Sequence, residues 1–206
     1  MSLWIFGYGS LIWRPDFEYL ERRPARLAGW QRRFWQGSHD HRGVPERPGR
    51  VVTLVHTGEG HCDGMAYRVD QATVTRVFEN LDHREKNGYR RFDVSLQTHT
   101  PPVGAASWPR SLSSTPGPLG LDEGDRGREA APTGYLDAVV YIAPTDNFAY
   151  LGPAPLDDMA RQIATSHGPS GSNRDYLLAL ADALRALNAH DEHVFELESA
   201  VRSYSP

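Results

Sequence analysis

The chain has 206 residues and a single cysteine, Cys62. One thiol cannot close an internal disulfide, and without a Cys-x-x-Cys pair there is no zinc ribbon or dithiol redox element, so a reducing, cytoplasmic compartment is the expectation. Lysine is almost missing: Lys86 stands alone and every other basic side chain of the Lys+Arg set is arginine, a bias from which no function is drawn. Positive charge is not in excess either, with 22 Lys+Arg against 26 Asp+Glu and a net charge of -4. The basic field that nucleic acid or an anionic membrane needs is lacking, and neither is expected as a partner. No long apolar run is present. The N-terminal stretch 3–13 is broken by Gly7, Gly9 and Ser10 and has no basic segment before it, so it reads as neither signal peptide nor membrane span.

What the chain does contain fits a folded globular protein: 39% hydrophobic residues, 10% aromatics and 5 Trp. Residues 3–6, 27–35, 50–57, 65–69, 92–98 and 135–143 read as β-strands from their Val, Thr, Tyr and Trp content and partial alternation, and suggest a mixed or barrel-like sheet. Residues 70–81 read as a helix, with Asp70 as its cap, Val74, Val77, Phe78 and Leu81 on one stripe, and Gly88 as its stop. The last third turns helical at 156–166, 173–189 and 191–204. Ser172 or Asn173 caps the second of these, and Leu177, Leu180, Leu184 and Leu187 point inward. The expected class is α+β, one domain over 1–206. Residues 100–134, rich in Pro, Gly and Ser, keep no period and read as a flexible insertion that interrupts the sheet.

The strongest local signal is the run from Trp4 to Trp13, a strand entering a Gly-x-Gly-Ser turn. Glycines there let backbone approach a ligand, and successive N–H groups can face a carboxylate or developing oxyanion; an ordinary tight turn is the plainer reading. A dinucleotide fingerprint is disfavoured because Ile12 stands at its third glycine, and a P-loop is excluded because Gly-Lys-Ser/Thr is missing.

The segment from Leu81 to Tyr89 puts several ionisable groups at a helix end. A carboxylate there feels the negative dipole end, and partial burial favours its neutral form, which moves its pKa toward the range useful for proton transfer. Glu85 is therefore the candidate acid/base, against the alternative of a solvated helix terminus. In the polar stretch 36–50, His39 and His41 lack a third ligand at helical spacing, and the His61, Cys62 and Asp63 cluster has no zinc spacing, so no metal is expected. Arg42 or Arg50 either grips a substrate carboxylate with its planar fork or fixes the loop. Ser170 fails as a hydrolase nucleophile, since Ser172 stands where Gly-x-Ser-x-Gly needs glycine. Cys62 reads as a small buried thiol.

Together, and in this order, FGYGSLIW, RRFWQGSHDHRGVPERPGRVVTLV, LDHREKNGYRR, YLGPAPL and GPSGSNRDYL resemble the ChaC family of glutathione-specific γ-glutamylcyclotransferases, from Leu3 to about Leu197 with the exception of the insertion. The resemblance implies a small mixed barrel flanked by helices. It also implies cytosolic cleavage of glutathione to 5-oxoproline and Cys-Gly without metal or organic cofactor. Carried over residue by residue, the family's substrate loop falls on Gly7, Tyr8, Gly9, Ser10, Leu11 and Ile12, and the glutamate of its REK segment on Glu85. Two other functions stay open: a cyclotransferase for different γ-glutamyl amino acids or amines, and a noncatalytic γ-glutamyl-binding or regulatory module. The sequence assigns no oligomeric state and no contact for the Cys-Gly portion.

Overall fold

The computed structural model describes residues 3–84, 88–98 and 134–204. Five strands close a barrel in the order β1 (Leu3–Gly7), β3 (Gly49–Val69), β2 (Glu21–Ser38), β4 (Arg90–Thr98) and β5 (Gly134–Ile142). Every pair is antiparallel except β1 with β5, which pair parallel through Ile5↔Val139 and Phe6↔Val140. The expected α+β barrel is thus the fold. Closure leaves the barrel without a free sheet edge.

Two expected strands, 50–57 and 65–69, are one 21-residue strand. The polar, glycine-rich stretch between them looked like a break, and it is instead an irregularity within the ladder. The β2–β3 register jumps from Ala28↔His61 to Trp30↔His56, and Gly29, Gly58 and Gly60 take left-handed φ angles of 77°, 73° and 73° there. β2 likewise starts at Glu21 rather than at residue 27. Its arginines and Pro24 mask a strand whose Pro24 pairs with Met65.

The first helix also begins later than its sequence suggested. Asp70 Oδ1 accepts from Ala72 N, and Asp70 O from Thr73 N, so Asp70 closes a turn ahead of α1 (Val74–Arg84) rather than capping it. Val77 and Leu81 of the expected stripe are buried against Ile5, Leu11, Val69 and Tyr141, with Val74 and Phe78 at the margin.

Three further helices follow, α2 (Leu156–Thr165), α3 (Asn173–Ala186) and α4 (Glu192–Ser203), with a small β6–β7 hairpin (His167–Gly168, Gly171–Ser172) before α3. Ser172 is the cap of α3, its Oγ accepting from Asp175 N. The helix stops at Ala186, short of residue 189, because Asn188 turns left-handed at φ 53° and Ala189 N folds back to Leu184 O. Leu177, Leu180 and Leu184 enter the barrel-side core, together with Val194, Leu197 and Val201 of α4.

Of the segment 100–134 only Gly134 lies within the described residues. The strands on either side pair directly, Thr98 against Gly134, so the chain leaves and rejoins one barrel.

Candidate active site

The site starts where β1 ends. A Cβ at Gly7 would lie 2.6 Å from Leu11 Cβ, so glycine is what lets the chain fold back on itself there. At Gly9 a Cβ would stand 3.0 Å from Val52 Cγ2 and 3.1 Å from Tyr176 Oη. The chain then makes one 3-10 turn over Ser10–Ile12, with Ile12 N donating to Gly9 O at 2.9 Å. The leading amides of such a turn, those of Ser10 and Leu11, come before its first intrahelical donor, Ile12 N, and Gly9 supplies no side-chain cap. The arrangement presents N–H groups in succession, the geometry suited to a carboxylate or an oxyanion.

The turn is held from both sides. Leu11 enters the small core under α1, while Tyr8 and Ile12 enter the main core. Tyr67 Oη donates to Leu11 O at 2.6 Å and to Ile12 O at 3.1 Å. Arg32, 1% exposed, donates from Nε to Tyr8 O at 2.7 Å and pairs through Nη1 with Asp191 at 2.6 Å. Tyr8 Oη donates to Tyr141 O at 2.8 Å. The turn is therefore fixed by the protein's own side chains, with no ordering left to a bound ligand.

Above it opens a cleft of about 260 Å³ between the turn, the 38–42 loop and the segment 170–176. An inner recess of about 50 Å³, walled by Tyr8, Gly9, Leu11, Val52 and Tyr141, shares Ser10, Tyr89 and Tyr176 with it. Arg84, at the end of α1, reaches into the cleft and donates from Nη2 to Ser10 Oγ at 2.6 Å. Its Nη1 pairs with Asp16 at 3.0 Å, and Asp16 also takes Arg14 at 3.1 Å. Asp16 adopts a left-handed φ of 57°, which aspartate tolerates better than most residues.

The candidate residues separate clearly. Gly7, Tyr8, Gly9, Ser10, Leu11 and Ile12 form the turn, with Tyr8 through Leu11 bordering the recess and Ser10 common to both cavities. Glu85 lies outside the described residues; Arg84 before it lines the cleft, as does Tyr89 beyond it. Arg42 lines the cleft and is also tied to the backbone, donating from Nη1 to Ser170 O at 2.6 Å. Arg50 is elsewhere. It is 6% exposed and donates to Gln162 Oε1, Phe34 O and Gly152 O at 2.7, 3.0 and 3.0 Å, so it joins β3 to β2, α2 and the approach to α2 rather than facing a ligand.

Partial burial lowers the Arg42 pKa from its ordinary value, and Arg14 and Arg84 push the same way, because the three cations share one cleft. Burial pushes the Cys62 thiol up to about 12, which leaves it un-ionised and a poor nucleophile at neutral pH. His39 sits against the Phe148 ring, and His41 Nδ1 is 3.0 Å from Ser170 Oγ. Among the described residues, no group of three or more His, Cys, Asp or Glu is placed to hold a metal ion.

Sequence reasoning assigned no role to Arg84, Asp16 or Tyr176. Each is ordinary in its local pattern, a charge at a helix end, an acid in a loop and an aromatic in the first turns of a helix. Only the closure of the barrel brings them to the Gly9–Ser10 turn.

The ChaC-like protein family model matches residues 3–204. Gamma-glutamylcyclotransferase 2-3 of Arabidopsis thaliana is 39% identical, with 98% of this chain and 89% of the plant protein covered. Glutathione-specific gamma-glutamylcyclotransferase 1 of Homo sapiens is 38% identical over 100% of this chain and 81% of its own length. Among solved structures, the crystal structure of a selenomethionine-labelled γ-glutamyl cyclotransferase specific to glutathione from yeast superposes with a TM-score of 0.81. That match is 32% identical and covers 98% of this chain and 96% of the other. The chain belongs to the ChaC-like protein family.

Proposed function

We propose that the protein is a glutathione-specific γ-glutamylcyclotransferase, converting glutathione to 5-oxoproline and Cys-Gly. The observation that carries the reading is the braced Gly-x-Gly-Ser turn at the base of a cleft lined by arginines, in a chain 35–38% identical to enzymes named as glutathione-specific γ-glutamylcyclotransferases.

The reaction is intramolecular. The substrate's α-amine attacks its own γ-carbonyl carbon, a carbon–nitrogen bond forms to close the five-membered lactam, and the bond to the cysteine nitrogen breaks. Two protons leave the original ammonium and two arrive on the departing amine, so neither water nor an oxidant enters. What the protein must supply is placement, charge stabilisation and a proton carrier. The turn 7–12 receives the γ-glutamyl group, with its leading amides toward the α-carboxylate or the oxyanion. Arg84, held on Ser10 Oγ, adds positive charge beside it. Glu85, next to Arg84 in the chain, is the general acid/base: it takes a proton from the ammonium and returns one to the leaving amine. The same proposal includes one catalytic domain, no cofactor and a cytoplasmic location. The lone Cys62 supports that location, and no described helix is long and apolar enough to cross a membrane.

The test is incubation of metal-free protein with reduced glutathione, following 5-oxoproline and Cys-Gly together by mass spectrometry, with Glu85→Gln alongside. Equal amounts of both products are expected. Turnover in the folded variant is expected to fall roughly 10²- to 10⁴-fold while affinity is kept. Near-normal turnover of Glu85→Gln would remove the glutamate from its role. Product from γ-glutamyl-alanine in preference to glutathione would shift the substrate class, and binding without product would favour the noncatalytic module.

A further inference from the structure

Glutathione carries a second carboxylate, on its glycine, which the turn at 7–12 does not account for. We propose that Arg42 binds this glycine carboxylate and so gives the cleft its preference for the tripeptide over shorter or neutral-ended γ-glutamyl compounds. The inference rests on glutathione being the substrate.

Charge balance inside the cleft singles this residue out. Asp16 pairs with both Arg84 and Arg14, at 3.0 and 3.1 Å. Among the described residues no carboxylate forms an ion pair with Arg42; Asp175 acts on it only through a longer-range field. Arg42 is also pre-oriented. Its backbone N donates to Ser38 Oγ at 2.9 Å, and its Nη1 to Ser170 O and Ser172 O at 2.6 and 3.4 Å. Its guanidinium carbon lies 5.5 Å from the Tyr176 ring centroid. With one amino group committed to these carbonyls, the rest of the planar fork remains for an anion, and no side-chain search has to precede binding.

The reach is right as well. Tyr176 spans the interval between the two ends of the substrate: its hydroxyl abuts the Gly9 turn, at 3.1 Å from where a Cβ would stand, and its ring carries Arg42. The leaving Cys-Gly has two residues and extends at most about 7 Å, enough to cross one aromatic ring from the scissile bond to a guanidinium. His41 flanks the same position. Its Nδ1 is 3.0 Å from Ser170 Oγ, and its Nε2 is buried without a hydrogen-bond partner, the nearest carboxylate oxygen, Asp40 Oδ1, being 3.8 Å away. When Ser170 donates to Nδ1, the ring proton stands on Nε2 as a second donor.

The experiment compares glutathione with its C-terminal glycinamide, in which the carboxylate is replaced by a neutral group of similar size. Wild-type protein, Arg42→Gln and Arg42→Lys are assayed for 5-oxoproline. In the wild type, kcat/KM for the amide is expected to be at least about tenfold lower, mainly through KM, since a charge-assisted contact to a remote group is made in ground and transition states alike. Arg42→Gln is expected to lose the same factor on glutathione and little on the amide, so that the two substrates become equivalent; Arg42→Lys keeps charge without the fork and falls between. Equal handling of the two substrates by the wild type overturns the subsite, and that arm needs no variant to fold. Equal losses on both substrates in Arg42→Gln overturn it too, since they mean a scaffold role. No 5-oxoproline from either substrate overturns the underlying reaction, which is a different result from equal turnover.

Discussion

Arg84 Nη2 stands 2.6 Å from Ser10 Oγ, joining the last turn of α1 to the serine of the Gly-x-Gly-Ser turn across 74 positions of sequence. In the proposed mechanism this contact ties the helix end that precedes Glu85 in the chain to the turn assigned to the γ-glutamyl group.

Arg84→Ala is therefore expected to lower kcat/KM for glutathione by about tenfold or more, the scale of one lost charge-assisted hydrogen bond. Asp16→Asn keeps a residue that tolerates the left-handed backbone and removes only the counter-charge, so a smaller loss is expected. Both variants should unfold within roughly 1 kcal/mol of wild type, because these are partly exposed pairs. Steady-state kinetics beside thermal unfolding separates the two effects; equal falls in stability and activity would mean a structural role alone.

The two turn glycines should respond differently to alanine. At Gly7 the added Cβ meets Leu11 Cβ at 2.6 Å in a packed core, which predicts a loss of about 1–3 kcal/mol in denaturant unfolding. At Gly9 the added Cβ meets only side-chain atoms, Val52 Cγ2 and Tyr176 Oη, at 3.0 and 3.1 Å. Gly9→Ala should therefore keep most of the stability and displace Tyr176, raising KM. A variant at Gly9 with unchanged kinetics would show that Tyr176 does not border the substrate.

His193 gives the fold an acid-sensitive joint. The irregular register of β2 between Arg33 and Gln36 leaves Phe34 N to donate to His193 Nε2 at 3.0 Å, a contact that requires an unprotonated ring nitrogen. Burial, aided by Arg33, pushes the imidazole down to about 4. The unfolded chain, with its histidine near pKa 6.5, thus binds the extra proton first. Stability from this group is complete above pH 6.5 and is lost as pH falls through 4, by about 3 kcal/mol in all. Urea midpoints measured from pH 7 to pH 4 should decline accordingly, and His193→Gln, which keeps an acceptor and cannot titrate, should flatten that decline. An unchanged slope in the variant would assign the acid sensitivity to other groups, among them Glu198, whose pKa the Arg185 hydrogen bond lowers.

Arg50 and Arg42 provide a paired contrast. Arg50→Met removes a buried donor from Phe34 O, Gly152 O and Gln162, and is expected to destabilise by roughly 3 kcal/mol. The remaining folded enzyme should keep its KM. Equilibrium unfolding and KM measured on the same preparation check this, and a raised KM without loss of stability would return Arg50 to the binding site.

Much of this protein was legible in its linear order. The glycines at 7 and 9, the Ser172 cap and the leucine stripe of α3 are local or periodic properties, and each predicts its own surroundings. Where local signals misled, long-range pairing had overridden them. The glycine-rich middle of β3 interrupts the ladder without ending the strand, because β2 pairs with β3 on both sides of it, Ala28 with His61 and Trp30 with His56, and Pro24 stands within that pairing opposite Met65. Sequence alone determined the glycine turn and the strand and helix types. Tertiary structure decided which arginine does what: Arg32 holds Tyr8 O, Arg50 braces the barrel, Arg84 meets Ser10 and Arg42 faces the cleft. These residues have one chemistry and differ only in what the fold places against them, and contacts across 16, 24 and 74 positions leave no local pattern in the chain.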